Sequence, residues 1–391
     1  MSDPVVVTGI GVVGPGGVGP EALWGVLPAT DAPFAPVAYD GAAPGALAAT
    51  APAIARGDVV RTPVGRRIDR LSLMMLTASR DALSRAGLSD DDLAGERTGV
   101  VLGSAFGNFE ETAGFLDRLR ARGRANPMLF PNLVMNAALS YVSIELGVTG
   151  PTLMVTQQEI SGEAAIAAGA DLVASGTVDR CLAGAGDELT AETYQVLREV
   201  GVLAKGPPRV YDERADGFVP GEGAAVLVLE RLSTARARSA RVWARIAAWD
   251  EFGVDASVHD WPRDPEPLAA RLVPLARGAD VVFGAASGAA AVDRLEAAVL
   301  ARLGSEMPPL CTPRARLGHF GSVGALAAAG AALAIAHAVV PPGPPACPHP
   351  IERALNLEAR ARSLERIATA VVVGIARGGA CCVLRLEDAS T

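Results

Sequence analysis

Residues 211–230, YDERADGFVPGEGAAVLVLE, run a glycine-rich turn straight into an apolar stretch. Such a stretch reads as a buried strand, and a buried strand needs packed structure around it. The pattern recurs along the chain. Short β-rich runs at 4–8, 98–102, 152–155, 224–229, 242–248, 281–283, 370–373 and 381–386 alternate with alanine-rich helical stretches at 69–86, 161–174, 291–303 and 321–340. That alternation predicts an α/β fold. Segment 231–241 separates two strand–helix series, each closing on a glycine-flanked apolar strand. Two similar halves, 1–235 and 236–391, are therefore expected.

Composition narrows the function classes. A chain of 391 residues, 50% hydrophobic and 20% charged, is long enough for one large core or two fused halves. Its net charge of −8 leaves no basic stripe for nucleic acid. The opening MSDPVVVTGIGVVGP lacks a cationic stretch followed by a long apolar run, so no secretory leader is expected and the cytoplasm is the expected compartment. Residues 323–340 approach the length of a membrane span. They are mostly Ala and Gly with His337 among them, which favours a buried helix. The five cysteines show no CxxC spacing, so reduced thiols are expected, with neither metal nor cofactor.

Segment 211–230 closely resembles the DGFV…GEGA…VLVLE signature of β-ketoacyl synthases in the thiolase superfamily. Other segments agree in order: VVVTGIGVVGP at the start, LFPNLVMNAALSYVSIELGVTGP at 129–151, VVFGAASGAAAVDRLE, RARLGHFGSVGA, and VVVGIARGGACCVLRLE near the end. The resemblance covers nearly the whole chain. It implies a five-layered αβαβα thiolase-like fold built from two similar halves, assembled as an obligate dimer.

Condensation in that family needs a thiolate, two imidazoles and a cradle of backbone N–H groups. The nucleophile motif reads T-A-C-x-(S/A)-G; here Ser161 and Gly162 anchor TQQEISG and place Glu159 where cysteine belongs. The first histidine motif reads H-G-T-S-T-x-x-x-D-x-x-E; Asp293 and Glu296 anchor it and place Ala285 at the histidine. The second reads K-S-x-x-G-H, onto which Arg314 and His319 fit, with Gly318 as the alternative at the histidine position. The family's gate phenylalanine, in N-x-F-G-F-G-G, is replaced by Arg377 in VGIARGG.

These losses imply a chain that does not condense. The resemblance points to chain-length factors, partner subunits that pair with an active ketosynthase in type II polyketide synthases. Glutamine commonly holds the cysteine position there, so Glu159 departs from the pattern, and LFPNLVMNAA looks more like an active ketosynthase. The alternatives are a stand-alone malonyl decarboxylase, or a repurposed acyltransferase or hydrolase with Glu159 as general base. The implied partners are an active ketosynthase and an acyl carrier protein, for which Arg118, Arg120, Arg122 and Arg124 form the best basic patch. Glu159 and Arg377 replace two facing positions by opposite charges, which predicts an ion pair that fills the old acyl site.

Overall fold

The computed structural model describes residues 3–37, 39, 42–93, 95–344 and 347–389. Ten strands carry the architecture: β1 (Val5–Gly14), β2 (Thr98–Gly103), β3 (Thr152–Val155), β4 (Arg180–Asp187), β5 (Gly223–Arg231), β6 (Ala244–Gly253), β7 (Val281–Phe283), β8 (Leu310–Cys311), β9 (Thr369–Ile375) and β10 (Ala380–Glu387). They lie in the order β8-β7-β9-β10-β6-β1-β5-β4-β2-β3. Each successive set of five takes the same spatial order: third, second, fourth, fifth, first. The sets meet where β1 pairs with β6 over only three residue pairs, Val5 with Ile246 through Val7 with Ala244.

Two helices, Ser161–Ala174 and Val323–His337, fill the space between the two sets. Each packs on strands of both. Every residue from Val323 to Ile335 is buried, which explains why that stretch shows no polar face. A Cβ added at Gly162 would come within 2.4 Å of the Ala325 nitrogen, so the central helices cross in contact at this glycine. Outside, Arg70–Ala86 and Ala137–Leu146 cover the first set, while Pro265–Ala276 and Ala290–Leu300 cover the second. The layers therefore run helix, sheet, helices, sheet, helix. This is the thiolase-like fold the sequence implied.

All eight expected strands are present. β4 and β8 are additional, as are the outer helices Ala137–Leu146 and Pro265–Ala276. The expected helix at 321–340 narrows to Val323–His337, where it ends in a residue of positive φ, Ala338. Among the described residues no helix is long and apolar enough to cross a membrane.

Candidate functional site

The first central helix begins in a tight turn. β3 ends at Val155, and Gln158 adopts a φ of +50°, a region non-glycine residues seldom enter. Ser161 closes the turn: its hydroxyl accepts from the Gln157 N–H (3.0 Å) and donates to the Gln158 carbonyl (2.8 Å). Glu159 is thereby held at the helix start, only 4% exposed. A carboxylate suits that position because the terminal N–H groups carry partial positive charge.

Its partner is Arg377, in the short turn that follows β9. The guanidinium donates to Glu159 Oε1 from Nε at 2.8 Å, with Nη2 2.6 Å from the same oxygen. The backbone N–H of Arg377 reaches Oε2 at 3.2 Å. The expected ion pair is thus present. The filled site is not. The Arg377 side chain remains 35% exposed and lies along the wall, with its guanidinium 6.0 Å from the centre of the Trp261 ring. A pocket of about 290 Å³ opens beside the pair, walled by both residues and by Phe106, Phe218, His319 and Glu188. The blocked-site expectation fails because a guanidinium laid against the wall leaves the centre open.

Arg314 sits behind Glu159, almost wholly buried. It donates to the Gly284 carbonyl (3.2 Å) and the Glu159 carbonyl (3.4 Å), and stands 3.7 Å from a Glu163 carboxylate oxygen. Among the described residues neither oxygen of Glu163 accepts a hydrogen bond, and burial pushes this carboxyl up to about 7 against the pull of Arg314. Glu163 was missed in the sequence because an acidic residue in a first helical turn looks like an ordinary solvated one.

Ala285 lies in a loop clamped from below. Glu296 accepts from the N–H groups of Ala285 (2.7 Å) and Ala286 (2.8 Å) and from the Tyr211 hydroxyl (2.6 Å). Asp293 accepts from the N–H groups of Tyr211 and Ser287, both at 2.9 Å. Ala285 itself is not among the residues that wall the pocket.

The second motif left His319 and Gly318 open. A Cβ at Gly318 would meet Ala49, Gly221 and Pro220 at 2.9 Å, and its φ is +75°. His319 is the one that walls the pocket, its ring centre 4.2 Å from that of Phe218. Burial, then the charges of Arg314 and Arg377, hold its imidazole well below the usual value, so it is neutral at pH 7. Among the described residues its Nδ1 has no hydrogen-bond partner.

Asp187 and Glu188, at and just beyond the end of β4, complete the wall and were not singled out from the sequence. Asp187 accepts from the Ser104 hydroxyl (2.7 Å) and the Ala105 N–H (2.9 Å), and from the Ser322 N–H (2.8 Å) at the start of the second central helix. It ties three elements together.

Residues 2–235 match the family model described as "Beta-ketoacyl synthase, N-terminal domain". The chain belongs to the β-ketoacyl synthase family. Within it, the chain is 31% identical over 376 residues to the tetracenomycin polyketide synthase ketoacyl synthase alpha subunit of Streptomyces glaucescens, covering 86% of each chain. It is 32% identical over 411 residues to the beta subunit of the same synthase, covering 96% of each. The solved ishigamide ketosynthase/chain length factor superposes with a TM-score of 0.91 at 26% identity, over 99% of both chains. This β-ketoacyl synthase relative is thus close to both kinds of type II polyketide subunit, and identity alone does not separate them.

Proposed function

We propose that this chain is a non-condensing, chain-length-factor-type partner of a cysteine-bearing ketosynthase in type II polyketide or fatty-acid-like chain elongation. In this reading Glu159 stands at the nucleophile position, Ala285 and His319 at the two histidine positions, Arg314 at the lysine and Arg377 at the gate. Residues 1–235 and 236–391 are then the two halves, which the shared strand order supports.

The observation that carries the reading is the Glu159 carboxylate held by Arg377 where the chemistry needs a free thiolate. A carboxylate cannot serve as a stable thioester carrier, and one already bonded to a guanidinium is a poor base and a poor nucleophile. Ala285 removes one imidazole as well.

The partner role draws support from the outer edge of the first sheet. β3 ends the strand order, so among the described residues its outward backbone groups have no strand partner. Helix Phe109–Arg122 buries no residue and exposes Phe109, Leu116 and Leu119, and the adjoining segment exposes Met128 and Phe130. Such an apolar surface needs covering. An acyl carrier protein is the second expected partner, and the cytoplasm the expected setting.

The open pocket favours a second reading, an acyltransferase, hydrolase or malonyl decarboxylase that uses Glu159. One experiment tests the partner reading, and release of free acid or of CO2 from acyl- or malonyl-acyl carrier protein would favour the second. After incubation with acyl carrier protein bearing an acyl chain, the intact mass of the chain should be unchanged, and Glu159→Cys should not restore condensation because Ala285 still lacks an imidazole. Acylation at Glu159 or at any native cysteine, or substantial condensation by the single variant, would overturn the proposal.

A further inference from the structure

Among the described residues, Glu188 is the one carboxyl on the pocket wall without a designated side-chain partner. Asp187 is held by the loop after β2 and by Ser322, and Glu159 is held by Arg377. Glu188 is buried, 4% exposed, and among the described residues it forms no hydrogen bond with another side chain. The backbone N–H of Glu110 approaches it, and Arg70 and Tyr39 stand near enough to feel its charge. Apolar walls surround it: Phe106, Leu189, Leu197 and Phe218 all line the same space.

The charges around the pocket decide which ligands it accepts. Arg377 is already engaged by Glu159, and His319 is neutral at pH 7. His259 is exposed at the wall. Behind Glu188 stand three more carboxylates, Asp69, Glu110 and Glu222, of which Glu222 is bound by Arg70. Among the described residues that wall the pocket, no arginine or lysine is left unpaired to receive a carboxylate or phosphate. A ligand in this space must be neutral, largely apolar, and able to accept a hydrogen bond.

We propose that Glu188 is a ligand-positioning residue, whose carboxylic acid donates a hydrogen bond to the ketone oxygen of a short, neutral keto-acyl chain bound in this pocket. Burial, reinforced by Asp69 and Glu110, pushes its carboxyl up to about 8, so the acid form that can donate is the majority species at pH 7. A carboxylic acid kept neutral in an apolar site is an effective donor to a carbonyl. The volume of about 290 Å³ holds roughly ten water-sized groups, enough for a chain of a few carbons. This inference takes its ligand class from the polyketide-type reading above, and it holds whether or not the chain condenses or pairs.

The test is ligand-observed NMR on the full chain, together with any ketosynthase that co-purifies. The probe is the N-acetylcysteamine thioester of a gem-dimethylated acetoacetyl group, which cannot enolise between its two carbonyls. Its control carries a methylene in place of the ketone. The wild-type chain should bind the keto probe more tightly than the control at pH 7. That preference should weaken about five-fold by pH 9, as Glu188 loses its proton. Glu188→Gln keeps an N–H donor, so it should retain the preference and lose the pH dependence. Glu188→Ala should lose the preference at both pH values. Because the wild-type profile needs no variant, misfolding of either variant leaves the test intact. Wild-type binding that ignores the ketone or is flat from pH 7 to pH 9 would overturn the proposal, as would the absence of binding. A folded Glu188→Gln that behaves like Glu188→Ala would overturn it too.

Discussion

The two outer edges of the sheet share one topology and differ in how they end. At the second set's edge, β8 is fully buried: the Leu310 N–H donates to the Asn356 carbonyl at 3.0 Å, and the Gly343 N–H to the Glu358 carbonyl at 2.7 Å. The chain folds its own segment over that edge. At the first set's edge, no described residue covers β3 in this way; Leu153 is 47% exposed, and Phe130 61%. From β3, exposed apolar residues continue through Ile144 on helix Ala137–Leu146 to the segment Pro127–Leu133 and helix Phe109–Arg122, each element packed on the next. One edge is finished within the chain. The other is left for something outside it, and the pocket belongs to this unfinished half as much as to the core, since Phe106 joins its wall.

The largest expected effect breaks that contrast directly. Leu153→Asp combined with Phe130→Asp should abolish association with the partner, read as a loss of the complex peak in size-exclusion chromatography, while the chain itself stays folded. A charge placed on the covered edge, as in Leu310→Asp, should instead unfold the chain, because it buries an unpaired carboxylate. If the double and the single variant behaved alike, the edges would not differ as described.

A smaller effect probes the site between the halves. Arg377→Ala removes the partner of a buried carboxylate, and a fully buried pair would lose about 3–5 kcal/mol. Since Arg377 is partly exposed, water moderates the loss, and a decrease of about 1–2 kcal/mol in unfolding free energy is expected. Urea denaturation measures it; a change no greater than for the exposed Arg263→Ala would remove the pair from the account.

A further effect is in the pH dependence. Glu163 and Asp293 are both pushed up to about 7 by burial. The folded chain therefore holds protons that the unfolded chain has released, and their contribution to stability is present at low pH and falls away as pH rises from about 4 to about 7. Glu163→Gln cannot ionise, so its stability curve should be flatter over that range. An unchanged slope in the variant would show that Glu163 is not a raised acid.

Much of this was legible in the sequence, for reasons particular residues make plain. β5 was readable because Ala224–Leu229 is uninterrupted and apolar. β4 was not, because RCLAGAGD has no β-branched residue and its place is set by pairing with β2 and β5. With β4 unseen, Glu188 just beyond it could not be placed. The Glu159–Arg377 pair was readable because two opposite charges stood at positions the family brings together. Its failure to fill the pocket was not, since that depends on the path of a long side chain along the Trp261 wall.

The most direct test of the central claim is the native mass of the chain co-expressed with a cysteine-bearing ketosynthase of the type II polyketide class. A 1:1 heterodimer is the expected result. A monodisperse monomer or a stable homodimer that ignores the ketosynthase would contradict the account.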